Sequence, residues 1–188
     1  MLFCYCDIKI SVGILCLSYE GEYKNYHQYY YGHIAYEAEQ YSTALSQFTL
    51  LLNDEKFGGV VPYYLSQIYY KTGEIDKLLA VGESLLAQAV ASRAAEVAKL
   101  IGEGYYQKSN WKQAALYLEK HQELGGKLKI QDQYKLGFVL YKTNRYEEAI
   151  KAFNKIHDRG DDLGDTFYQC RSLFSRNLDR VRRAFSCL

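Results

Sequence analysis

Proline is nearly missing from this sequence: Pro62 is the one example in 188 residues. A chain with so few helix breakers is free to run through many helices. An excess of either charge is missing too. Twenty-three basic residues against 22 acidic ones leave a formal charge of +1 and a pI near 7.6, which gives no global attraction to nucleic acid or to an anionic membrane. No stretch reaches the ~18 uninterrupted apolar residues that a spanning helix requires. There is no CxxC pair. The cysteines Cys4, Cys6, Cys16, Cys170 and Cys187 form an odd set near the two ends, and no histidine stands at zinc-ligand spacing from them. They read as mostly free thiols.

Catalytic and cofactor motifs are equally scarce. Gly102-Glu103-Gly104 begins a dinucleotide fingerprint, but no strand precedes it and the third glycine is absent. Gly58-Gly59 and Gly125-Gly126 fall between expected helices, where chain reversal needs a permissive backbone. His27, His33 and His121 have neither a paired nucleophile nor an HExxH arrangement. The run His157-Asp158-Arg159-Gly160-Asp161-Asp162 has the composition of a divalent-metal loop, yet it stands without a second ligand cluster and reads as an acidic connection. The expectation is therefore no enzyme, no cofactor and no metal. The arginines Arg171, Arg176, Arg180, Arg182 and Arg183 near the end read as a solvated helix face rather than a nucleic-acid site.

What the chain does have is tyrosine, 20 of them, within a 48% hydrophobic composition sufficient for a continuous core. It also has a repeat. Tyr31-Gly32-His33-Ile34-Ala35-Tyr36 aligns with Leu65-Ser66-Gln67-Ile68-Tyr69-Tyr70, with Ile101-Gly102-Glu103-Gly104-Tyr105-Tyr106 and with Leu136-Gly137-Phe138-Val139-Leu140-Tyr141. The small residues Gly32, Ser66, Gly102 and Gly137 recur at intervals of 34 to 36 residues. Twelve residues after each stands Ala44, Leu78, Ala114 or Ala149, and four further on Phe48, Gly82, Leu118 or Phe153. Short polar stretches such as Thr72-Gly73-Glu74 and Thr143-Asn144-Arg145 separate the halves. Each period thus predicts two antiparallel helices, with Gly32 facing Ala44 and the larger residues filling the space between successive hairpins. A poorer fifth copy runs from Phe167 to Phe185.

Gly32, Tyr41, Ala44 and Phe48 resemble the small-aromatic-alanine-aromatic pattern of tetratricopeptide-repeat (TPR) units, as do Gly102, Trp111 and Ala114, and Gly137, Tyr146, Ala149 and Phe153. The resemblance implies an all-α fold, a right-handed superhelical solenoid of antiparallel helix pairs. The expected units span 25–58, 59–94, 95–129, 130–161 and 162–188. Residues 1–24 form an apolar segment readable as a leader, as a capping helix or as the remnant of a preceding repeat, and the whole as a piece of a longer array or a chain that dimerises through its terminal faces. The tyrosine-rich wording resembles long TPR proteins of the bacterial cell envelope, which implies a periplasmic or outer-membrane-associated place, with a cytoplasmic one left open by the free thiols.

In this family the first helix of each pair lines the inner wall. The resemblance places Tyr29, His33, Tyr36 and Glu37 there, followed by Tyr63, Gln67, Tyr70 and Lys71, then Lys99, Glu103, Tyr106 and Gln107, and finally Lys135, Phe138, Tyr141 and Lys142. Tyr36, Tyr70, Tyr106 and Tyr141 share one position and would form a ladder of phenols, suited to a partner protein or peptide or simply to packing. A glycan or other small ligand is the alternative occupant. One TPR subclass clamps a terminal carboxylate with lysine and asparagine. Here His33, Gln67, Glu103 and Phe138 stand where asparagine is needed, so such a clamp is not expected.

Overall fold

A computed structural model describes residues 23–157, which contain eight helices and, among the described residues, no strand. They are α1 (Lys24–Glu37), α2 (Tyr41–Leu50), α3 (Val61–Lys71), α4 (Ile75–Gln88), α5 (Ala91–Gln107), α6 (Trp111–Glu123), α7 (Ile130–Lys142) and α8 (Tyr146–His157). The expected segment 1–24 lies outside the described residues up to position 22. The fifth pair, the arginine-rich end and all but the first residue of the His157 to Asp162 run lie outside them as well. The chain divides into two compact units, residues 1–100 and 101–188, with the boundary inside α5. That helix begins at Ala91, earlier than the expected unit boundary after residue 94.

Each hairpin turn reverses through one left-handed residue, and the four are register equivalents: Glu39, Gly73, Ser109 and Asn144, with φ of 60°, 76°, 57° and 63°. An L side chain in that region costs about 1–2 kcal/mol, which Gly73 avoids. The other three turns regain part of it by satisfying orphan helix carbonyls: the N–H groups of Gln40, Asn110 and Arg145 donate to the carbonyls of Ala35, Tyr105 and Leu140 at 2.8, 3.0 and 2.9 Å. Asn110 also caps α6, its side-chain oxygen accepting from the Gln113 N–H.

In the first unit Ala35, Ala44, Phe48, Leu51, Val61, Leu65, Ile68 and Leu78 are buried. Gly32 sits directly under Phe48: a Cβ there would lie 3.1 Å from the ring and 3.2 Å from the Gln47 Cβ. What a Cβ at Gly32 would meet first is thus the ring one helical turn beyond Ala44. The glycine makes room for that ring. Ser66, at the same register, is buried and donates its hydroxyl to the Pro62 carbonyl at 2.8 Å, so the polar atom is satisfied within its own helix.

In the second unit the core joins Ala114, Ala115 and Leu118 of α6 to Leu136, Val139 and Leu140 of α7 and Ala149, Ala152, Phe153 and Ile156 of α8. Gly102 and Gly137 repeat the arrangement of Gly32, seated against Leu118 and Phe153. The closest approach is at Gly137, where a Cβ would come within 2.5 Å of the Phe153 ring.

Candidate functional site

The first-helix residues of the first unit gather around a tyrosine that the family pattern does not single out. Tyr64 of α3 is buried and stacks on Phe48 of α2 with centroids 4.7 Å apart and planes 13° apart. Tyr29, His33 and Tyr36 of α1 all present ring edges to it, at 6.2, 5.6 and 5.4 Å. Tyr29 also stacks on Phe57 at 4.5 Å, and its hydroxyl lies 3.5 Å from that of Tyr64. Burial, and then the neighbouring Tyr29 hydroxyl, push the Tyr64 phenol well above the ordinary tyrosine range. Lys71 lies over the Tyr36 ring at 4.7 Å, and Tyr36 holds its ammonium above the usual lysine range.

On α3 the packing and the open faces separate cleanly. Val61, Tyr64, Leu65 and Ile68 are buried, whereas Tyr63, Gln67 and Tyr70 at i, i+4 and i+7 are half-buried and Lys71 is exposed. Tyr63 carries the Arg93 guanidinium over its ring at 4.6 Å. Lys99 is half-buried in α5.

The expected residues of the second unit fall into two groups. Glu103, expected on an open face, is 7% exposed and accepts from the Lys135 ammonium at 3.1 Å. Lys135 also lies 3.6 Å from Asp132, so one cation joins two buried carboxylates. Tyr106, Trp111 and Phe138 form an aromatic triangle with centroids 5.5 to 6.0 Å apart. Burial pushes the Tyr106 phenol above its ordinary range, with Lys135 pulling the other way. Lys142 lies 5.4 Å from the centre of the Phe138 ring.

The expected ladder of phenols has a common local partner. Tyr36 meets Tyr41, Tyr106 meets Trp111 and Tyr141 meets Tyr146, with centroids 6.1, 5.6 and 5.9 Å apart. Each pair bridges its own hairpin from i to i+5, and the four ladder tyrosines are half-buried. Tyr70 has Ile75 at the corresponding position. Tyr36 is packed further by Tyr64 and Lys71, and Tyr106 by Phe138, while each ladder tyrosine keeps part of its surface accessible. Among the described residues no group of three or more His, Cys, Asp or Glu is placed to hold a metal ion, and no helix is long and apolar enough to cross a membrane.

Repeated hairpins with a small residue seated under an aromatic or leucine, a left-handed turn and an aromatic bridge across it define a TPR-like, all-helical repeat fold. Solved structures share it. MamA from strain AMB-1 superposes with a TM-score of 0.63 at 23% identity, over 86% of this chain and 93% of that one. MamA residues 41 to the end from Desulfovibrio magneticus RS-1 gives a TM-score of 0.59 at 17% identity, over 87% and 100%. PlcR of Bacillus thuringiensis, solved in complex with the peptide PapR7 and DNA, gives 0.55 at 19% identity, over 90% and 68%. No family model and no curated protein matches the chain. The structural likenesses establish the fold.

Proposed function

We propose that this chain is a protein-interaction scaffold whose first-helix faces hold a segment of a partner polypeptide. In the first unit the face comprises Tyr29, His33 and Tyr36 of α1 with Tyr63, Gln67 and Tyr70 of α3 and Lys99. In the second it comprises Tyr106, Lys135, Phe138 and Tyr141, Glu103 being buried beneath Lys135. The observation that carries the reading is the division of α3: its six buried residues take the deep packing, and Tyr63, Gln67 and Tyr70 are held at helical spacing with only part of their surface used. Rigid, half-exposed tyrosines offer amphipathic contact area at small entropic cost, and a glutamine between them supplies both a donor and an acceptor for a peptide backbone. A peptide complex of the structurally similar PlcR is consistent with such use of this fold.

The test is a photo-crosslinker placed at Gln67 in the full chain, compared in native lysate with one at Val81, an exposed residue of the second helix α4. Support requires one polypeptide captured from position 67 and not from position 81. Its affinity for the purified chain should then fall at least about tenfold in a Tyr63→Ala, Gln67→Ala variant of unchanged helicity, as expected for loss of an aromatic anchor. Equal capture from both positions, or unchanged affinity in the variant, rules the face out.

A further inference from the structure

The first-helix face of the first unit carries two cations that are seated on tyrosine rings and on no carboxylate. Arg93, in the first turn of α5, lies over the Tyr63 ring at 4.6 Å. Lys71, the last residue of α3, lies over Tyr36 at 4.7 Å and over Tyr41 at 5.6 Å. Among the described residues neither takes part in an ion pair. Lys135 of the second unit differs, its ammonium being matched by Glu103 and Asp132. A ring attracts a cation through its quadrupole and fixes its position while leaving its charge in place.

Tyr63 and Lys71 mark the two ends of the open side of α3, eight residues and therefore ~12 Å apart along the helix axis. Gln67 and Tyr70 lie between them, the four residues falling within about 100° of one another around the helix. The carboxylates nearby leave the two cations unmatched. Glu37 lies 4.0 Å from His33, and Glu96, one turn after Arg93, is followed one turn later by Lys99. The face thus presents a cation at each end and phenol and amide surface in the middle. An extended chain advances about 3.3 Å per residue with alternate side chains on one side, so residues i and i+4 stand ~13 Å apart and face the same way, with i+2 between them. Resting on the scaffold reading above, we propose that the partner segment held by the first unit is acidic, with two carboxylate side chains at i and i+4 that meet Arg93 and Lys71 and flank a side chain packed on Tyr63 and Tyr70. Arg93 donates through a planar fork that matches a carboxylate, whereas Lys71 is a compact, exposed point charge. The Arg93 end therefore discriminates more sharply between an acid and its amide.

The experiment pans a phage-displayed library of random dodecapeptides on the full chain, each peptide fused through its C-terminus and so without a free terminal carboxylate. The expected result is enrichment of sequences with Asp or Glu at i and i+4. Selected peptides, made as C-terminal amides, should bind about tenfold more weakly to Arg93→Gln and about threefold more weakly to Lys71→Gln, each variant being of unchanged helicity. Replacing both peptide acids by glutamine should remove the difference between the variants and the natural chain. Selected peptides without the acidic pair, equal binding to the natural chain and both variants, or no enrichment would overturn the proposal. A photo-crosslinker at Gln67 separates this failure from failure of the scaffold reading. Peptides without acids that crosslink from position 67 leave the face a binding site for a partner of other chemistry, whereas selected peptides that crosslink only elsewhere remove the face itself.

Discussion

The two units join consecutive hairpins at one register position with different chemistry. In each, the residue after the small residue of one first helix meets the residue two before the small residue of the next. In the first unit those residues are His33 and Tyr64, ring to ring at 5.6 Å. In the second they are Glu103 and Lys135, charge to charge at 3.1 Å. Around Tyr64 the neighbours are Phe48, Tyr29 and Tyr36, whereas Lys135 reaches a second carboxylate, Asp132. The repeat backbone dictates that the two positions meet and leaves their chemistry open. A seam of stacked rings draws on apolar area and is indifferent to salt, while a seam containing an ion pair has a part that depends on screening.

The largest effect that would break this comparison is expected at Tyr64. Tyr64→Ala removes a buried ring that five others contact, at a cost of about 3–5 kcal/mol. Tyr64→Phe should cost less than about 1 kcal/mol, because the hydroxyl's contact with Tyr29 at 3.5 Å is at the limit of a hydrogen bond. Urea unfolding with segment-resolved amide exchange checks both. An alanine variant that loses less than about 1 kcal/mol would mean that the rings are ornament on a seam held elsewhere.

Much of this fold could be read from the period alone. Gly32, Ser66, Gly102 and Gly137 located the close approach of each hairpin, and the polar stretches around Glu39, Gly73, Ser109 and Asn144 located its turn. The partner of the glycine was less legible. A spacing of twelve residues pointed to Ala44, but side chains lean along their helices, and the aromatic four residues later reaches the gap. The candidate faces were harder still. Tyr63 and Tyr64 are chemically identical neighbours about 100° apart on α3, and only the burial of Ile68, four residues on, tells which of them packs. The Glu103–Lys135 pair was hidden because opposite charges 32 residues apart signify nothing until two helices have a register. Applying the repeat offset to charged as well as apolar residues would have exposed it.

The close approach itself also differs between units, which gives an intermediate test. A Cβ on Gly137 would lie 2.5, 2.7 and 2.8 Å from three atoms of Phe153, a ring fixed in the core, whereas one on Gly32 would meet Phe48 at 3.1 Å. Gly137→Ala should therefore destabilise by about 1–3 kcal/mol through overpacking. Gly32→Ala should fall below about 1 kcal/mol, since a shift of a few tenths of an ångström suffices and alanine is the better helix former. Thermal unfolding of the two variants gives the ranking, and a larger loss at Gly32 would reverse the assignment of the tighter hairpin to the second unit.

The smallest effect is the one that isolates the ionic seam. A double-mutant cycle with Lys135→Met and Glu103→Gln measures the pair apart from its packing. Lys135 is 28% exposed along its side chain and Glu103 9%, so the pair lies between a surface bridge and a fully desolvated one, and a coupling of about 1 kcal/mol is expected. Raising the salt from roughly 0.05 M to 0.5 M shortens the Debye length several-fold and should lower that coupling by up to about half, the buried side of the pair escaping part of the screening. The corresponding cycle of His33→Ala and Tyr64→Phe, which joins ring to ring, should not move with salt. If both cycles respond alike, register has fixed the chemistry of the seam after all, and the contrast between rings and charges is one of appearance.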